Sequence, residues 1–290
     1  MSHNPNESGP VPKSLPVRIR TFLVPLCGAA LYYAVILSVS GSAMLFLGDR
    51  FKSHMYVIQS ISMLVLIPLV LIWVYVSELV EGKKLLRRPL SPGMTFSGVI
   101  IALGLLGVTM LYFYFIETVL APFSFVQDSI DEYETLLSVG NLMLFEKIAY
   151  AVSITILVPV AEELIFRGII LQEFLSTMKP TIAVLLTAAV FAVVHVQPIQ
   201  IGYAFICGVA ISAAYVLSRS IFLTILLHGV YNFFGSVLQI VYPESDQWLD
   251  VLVIIYFAAI ALSVVAVLYL KREIYRKAQT EDNHASSFRG

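Results

Sequence analysis

The sequence predicts an all-α, polytopic membrane protein of about eight transmembrane helices enclosing a polar intramembrane cavity. Three observations carry that expectation. Hydrophobic residues make up 59% of the 290 residues and charged residues 13%, where soluble domains hold roughly 45–50% and 25%. Apolar stretches of about 20 residues, enough to cross a hydrocarbon core, recur along the chain. Lys and Arg collect in every second connection between them, as the positive-inside rule requires.

The apolar stretches run over 21–47, 55–80, 94–120, 142–174, 181–197, 199–217, 221–242 and 248–270. Residues 1–20, rich in Ser and Pro, read as a disordered tail. The apolar run that follows is too long for a signal-peptide core and reads as an uncleaved first helix. Between the third and fourth stretches, SFVQDSIDEYETLLSVGN alternates acids with apolar residues and predicts an amphipathic helix at the membrane interface. The run 181–196 covers only about 24 Å at 1.5 Å per residue, so the turn HVQPIQ is expected below the membrane surface. Irregular backbone at that depth is tolerated where it lines a cavity. The whole reads as one transmembrane domain, 21–272, with tails 1–20 and 273–290.

Basic residues orient it. Lys13, Arg18, Arg20, Lys83, Lys84, Arg87, Arg88, Lys179, Arg219, Lys271, Arg272, Arg276, Lys277 and Arg289 fall on one side, and only Arg50, Lys52 and Lys147 on the other. Both termini are therefore expected in the cytoplasm, in an integral multi-pass membrane protein. A net charge of -1 leaves no basic face for nucleic acid. Cys27 and Cys207 sit in apolar stretches, where neither a disulfide nor a metal cluster is expected.

Within this apolar chain, Glu162, Glu163 and Arg167 of VPVAEELIFRGIIL stand out. An ionisable residue at mid-membrane costs on the order of 2.5–3.5 kcal/mol on insertion scales and usually faces a polar cavity. Glu163 and Arg167, four apart, share a helix face and read as an ion pair. Glu162 points about 100° away, and Pro159 one turn earlier is expected to kink the helix. His195 in FAVVH and His228 in HGVYN are the histidines deepest in apolar sequence, with Asn232 on the face of His228 and Phe191 one turn before His195.

A carboxylate and an imidazole can activate water for attack on an amide, and an imidazole with an Asn amide can stabilise the tetrahedral oxyanion. Alternatively Glu162, His195 and His228 hold zinc. The chain carries no HExxH, GxSxG or GxGD stretch, which removes the usual zinc-protease signature and disfavours serine and aspartyl intramembrane chemistry. A transporter relaying protons through Glu and His is a further class, against which stands the lack of an inverted repeat.

In order, EELIFR, FAVVH and HGVYN give the patterns EExxxR, FxxxH and HxxxN. Together they resemble the CAAX-protease and bacteriocin-processing family of membrane proteins, which includes Rce1-type prenyl proteases. The resemblance covers 158–232. It implies a helical intramembrane endopeptidase whose cavity opens toward the cytoplasm. It implies that Glu162 and His195 activate water, that His228 and Asn232 form the oxyanion hole, and that Glu163, Arg167 and Phe191 support them. It implies a metal-free glutamate protease, with the zinc version as the alternative, acting on lipidated (prenylated CAAX-type) or membrane-associated peptides among membrane lipid. A non-catalytic immunity or regulatory scaffold is the competing role within the same family.

Overall fold

The computed structural model describes residues 17–81, 89–137, 142–238 and 246–287, which form helices and turns with no strand among them. Helix α1 covers Val17–Leu47 and α2 covers Met55–Glu81. The 3-10 turn Gly48–His54 joins them and opens on Gly48 at φ 53°, a left-handed conformation that glycine adopts without penalty. Helix α3, Pro92–Val119, begins where Ser91 Oγ accepts the Met94 N–H at 3.2 Å and Pro92 fills the first helical position. The amphipathic segment becomes helix α4, Ser124–Leu137.

An unbroken helical run over 144–177, here α5, alternates three α-helical segments (Leu144–Val152, Val158–Glu163, Leu171–Thr177) with two π-helical ones, Ser153–Leu157 and Leu164–Ile170. Helices α6 (Pro180–Val193) and α7 (Pro198–Ser218) both open on proline. Helix α8, Ile221–Asn232, continues through a π turn, Phe233–Val237. Helix α9 is Asp246–Ser287.

Helices thus occupy most of the described part of each predicted apolar stretch, residues 239–242 of the seventh lying outside the described residues, and the described residues form an all-helical integral membrane protein. Length and composition qualify four segments as spans: Ile19–Leu79, which contains both α1 and α2, Pro92–Val119, Pro198–Ser218 and Asp250–Glu273. Helices α6 and α8 are apolar but short, and α5 carries its ionisable residues in mid-helix. The helical part of α1 already includes Val17–Arg20, and the rest of the expected disordered tail lies outside the described residues.

Short connections make successive helices antiparallel, so the bundle has two ends. The near end holds the start of α1 and the later part of α9: Arg20 Nε donates to Glu173 at 2.9 Å, and Ser91 Oγ donates to Glu273 at 2.7 Å. The far end holds the 3-10 turn, α4 and the α6–α7 turn: Glu146 accepts the Tyr56 N–H at 2.9 Å, and Gln197 Nε2 donates to Glu132 at 2.9 Å. Two apolar clusters fill the bundle. One joins α1, α2, α5 and α6 around Met63, Leu66, Ile165 and Phe166, and the other joins α3, α7, α8 and α9 around Ala102, Ile211, Leu223 and Leu270. Helix α9 lies so close to α3 that a Cβ on Gly104 would stand 2.7 Å from the Ala259 carbonyl oxygen, the small-residue packing that substitutes for a hydrophobic drive inside membranes. The seam between the clusters holds the polar residues.

Candidate active site

The sequence of α5 explains how α8 is docked on it. In the π segment the Val158 N–H bonds the Ser153 carbonyl, five residues back. The next bond in that register would run from residue 159 to Ile154, but Pro159 has no N–H. Asn232 supplies the missing donor, its Nδ2 reaching the Ile154 carbonyl at 2.8 Å. Gly229 permits the approach, because a Cβ there would meet the Thr155 carbonyl oxygen at 2.6 Å. At Pro159, where a kink is expected, the chain carries a π turn just before the proline, a feature common at functional sites. It leaves one helix rather than two.

Glu163 and Arg167 are completely buried and paired, Nη1 to Oε1, at 2.7 Å. Arg167 Nη2 also donates to the Gly208 carbonyl at 3.2 Å and Nε to Ser212 Oγ at 3.3 Å. Its guanidinium stacks 4.8 Å from the centre of the Phe191 ring, an interaction worth about 2 kcal/mol when desolvated. Arg167 thus ties α5 to α7 and α6. Glu163 Oε1 faces a second donor, His228 Nδ1, at 2.8 Å. Since a carboxylate only accepts, Nδ1 carries the proton and Nε2 is left toward the cavity.

Glu162 points elsewhere, as its 100° rotation predicts. Its Oε1 accepts from the Tyr32 hydroxyl at 3.0 Å, while Oε2 has no hydrogen-bond partner and lies 3.9 Å from His228 Nε2. That gap is too long for a hydrogen bond and suits a bridging water. Glu162 is only 4% exposed, so its carboxylate is shielded from bulk solvent.

His195 follows the end of α6, with Nδ1 at 2.8 Å from the Phe191 carbonyl. A carbonyl oxygen also only accepts, so the neutral ring presents a lone pair at Nε2. Phe191 stands between the two histidines, 4.8 Å from His195 and 6.0 Å from His228 by ring centres. Val196, next in the turn, has φ 65°. This left-handed conformation is strained for a β-branched residue. The Tyr33 hydroxyl donates to the carbonyl of Val194, just before His195.

Glu162, His195, His228 and Asn232 all line a cavity of about 660 Å³, with Phe191 and Tyr32. Glu163 and Arg167 stand behind the wall. Each histidine gives Nδ1 to an oxygen, which suits a general base and a metal ligand alike. However, no group of three His, Cys, Asp or Glu among the described residues is arranged to hold a metal ion. Glu162, His195 and His228 share the cavity without forming such a set, and no step is derived through zinc.

Comparison with known proteins gives one result. Residues 144–234 match the family model described as type II CAAX prenyl endopeptidase Rce1-like. The matched segment is Rce1-like. No curated protein and no solved structure matches the chain. The Rce1-like segment starts with α5 and ends in the π turn after α8, so it contains all three sequence motifs and supports a CAAX-type intramembrane protease acting on a membrane-associated peptide. It leaves out α1, and with it Tyr32. The sequence reading missed that residue: one tyrosine in an apolar helix gives no periodic or motif signal, and only the packing of α1 against α5 brings it to Glu162.

One pair of expectations is incompatible with this geometry. The cavity occupies the far-end half of the bundle. Cytoplasmic termini and a cavity facing the cytoplasm therefore exclude one another.

Proposed function

We propose that the protein hydrolyses peptide bonds of lipidated or membrane-associated polypeptides as a glutamate-type intramembrane protease, with both termini in the cytoplasm of a bacterial plasma membrane. The observation that carries this reading is Glu162 in the cavity wall, its Oε1 held by Tyr32 and its Oε2 without a hydrogen-bond partner, in a cavity lined also by two histidines and an amide.

Water held at Glu162 Oε2 is the nucleophile, with Glu162 as general base and His195 Nε2 as the second acceptor that orients and deprotonates it. As the water attacks, the carbonyl oxygen becomes an oxyanion. His228 Nε2 and the second N–H of the Asn232 amide are its donors. Because His228 already gives Nδ1–H to Glu163, donation from Nε2 requires the imidazolium form. Loss of one such donor lowers kcat by about 10²–10³. The proton taken from water then passes to the leaving amine. Glu163, Arg167 and Phe191 orient His228, the first two from behind the cavity wall.

The test is cleavage of an internally quenched, lipid-anchored peptide by the purified protein in liposomes, with and without a chelator. Loss of cleavage in Glu162→Ala and in His195→Ala, with none caused by the chelator, supports the reading. Cleavage that survives Glu162→Ala overturns the general-base role. Chelator-sensitive cleavage restored by zinc supports the metal version, and an inactive wild type supports a scaffold.

A further inference from the structure

The side of the membrane from which the cavity is reached follows from its position in the bundle and the placement of basic residues. Its wall runs from the mid-helix residues Tyr32, Glu162 and His228 outward to Gln59, Gln200 and Leu252. These last three lie near the start of α2, α7 and α9, at the far end. At the near end Ser97 of α3, Ala183 of α6 and Ser218 of α7 are buried where these helices pack together.

The charges fall the other way. Of 18 Lys and Arg residues, all but Arg50, Lys52, Lys147 and the membrane-buried Arg167 flank the near ends of the helices. Among the far-end residues the exposed charges are mainly acidic, with Glu117, Asp128, Asp131, Glu132 and Asp250 in that class. Lys and Arg close to helix ends are retained in the cytoplasm, whereas acids contribute little to orientation. The near end is therefore cytoplasmic.

We infer that the Glu162 cavity opens on the non-cytoplasmic face, so that its substrates are polypeptides presented from that side: exported, or anchored in or crossing the outer leaflet. This rests on the reading of the cavity as a protease site. A peptide confined to the cytoplasm would meet the packed near end, with His228 about 13 Å inward of Arg219 at 1.5 Å per residue. The α6–α7 turn forms part of the mouth. It places His195 at the rim, where irregular backbone is tolerated because it borders an aqueous opening rather than lipid.

Access can be measured without activity. In a background with Cys27→Ser and Cys207→Ser, single cysteines at the exposed positions Ser124 and Val196 report the far end, and cysteines at Lys179 and Lys271 the near end. With intact cells and a membrane-impermeant maleimide, the expected result is labelling of Ser124→Cys and Val196→Cys, with Lys179→Cys and Lys271→Cys labelled only after permeabilisation. The reverse pattern overturns the inference. With the unaltered protein, an impermeant quenched peptide is expected to be cleaved by right-side-out vesicles and not by sealed inside-out vesicles. Cleavage confined to inside-out vesicles overturns it as well. Far-end labelling without cleavage in either preparation upholds the access side and overturns the protease reading instead.

Discussion

The Tyr32 hydroxyl donates to Glu162 Oε1 at 3.0 Å across 130 residues of sequence, from a helix outside the Rce1-like segment. This bond decides which oxygen of Glu162 is free. A hydrogen bond to a charged group contributes about 1.5–3 kcal/mol. Tyr32→Phe is therefore expected to lower kcat by about 10- to 100-fold with KM little changed, because the ring still packs while the carboxylate is free to rotate. Steady-state kinetics on a membrane-anchored peptide check it; a rise in KM alone would assign Tyr32 to substrate binding.

Gly229 lets α8 lie on the carbonyl of Thr155, with no room for a methyl group. Overpacking of this kind costs about 1–3 kcal/mol. Gly229→Ala is expected to lower both the unfolding midpoint in detergent and the activity, because His228 and Asn232 flank the displaced turn. Gly235→Ala is the control. A Cβ there meets only the end of the Leu106 side chain, at 3.0 Å, so its effect on both is smaller.

Val196 adopts φ 65° beside His195 and is 69% exposed. Left-handed strain of about 1–3 kcal/mol is relieved by glycine, against about 0.5–1 kcal/mol of added chain entropy. Val196→Gly is expected to leave the unfolding midpoint unchanged or raised while peptide cleavage falls, because the turn that holds His195 loosens. Thermal unfolding and activity measured on one preparation separate the two effects.

Arg167 is fully buried against the Glu163 carboxylate. Removing one partner of a buried ion pair typically costs 3–5 kcal/mol, whereas replacing both with apolar groups of similar volume is often neutral. Arg167→Met is expected to lower stability by about 3–5 kcal/mol, with the double variant Glu163→Leu/Arg167→Met regaining part of it. A double variant whose loss equals the sum of the losses in Arg167→Met and Glu163→Leu alone would show that the pair is not coupled.

Much of this protein was legible in sequence because a membrane imposes strong constraints. Apolar length gave the helices, and the energetic anomaly of Glu162, Glu163 and Arg167 pointed to the cavity. The i,i+4 spacing predicted the Glu163–Arg167 pair and the packing of Phe191 on His195. What the sequence did not reveal depends on contacts between distant helices. Tyr32 carries no pattern. The Asn232 bond depends on a π register in α5 that no spacing rule signals, although Pro159 marks where a carbonyl loses its partner. His228 pairs with Glu163 as well as approaching Glu162, a double relation that two adjacent glutamates make possible but do not announce. The expected direction of the cavity came from family resemblance, not from any pattern of residues.

The division of labour between the two adjacent glutamates is tested most directly by comparing Glu162→Gln with Glu163→Gln, each measured for single-turnover peptide cleavage and for thermal unfolding. The amide keeps the shape of either side chain and removes its charge. Glu162→Gln is expected to unfold near the wild-type temperature and to lose cleavage by about 10²–10⁴, the contribution of a general base. Glu163→Gln is expected to lose stability first, since Arg167 and His228 then face a neutral group, and to retain measurable cleavage where it remains folded. Full activity in Glu162→Gln beside a folded but inactive Glu163→Gln would contradict the assignment.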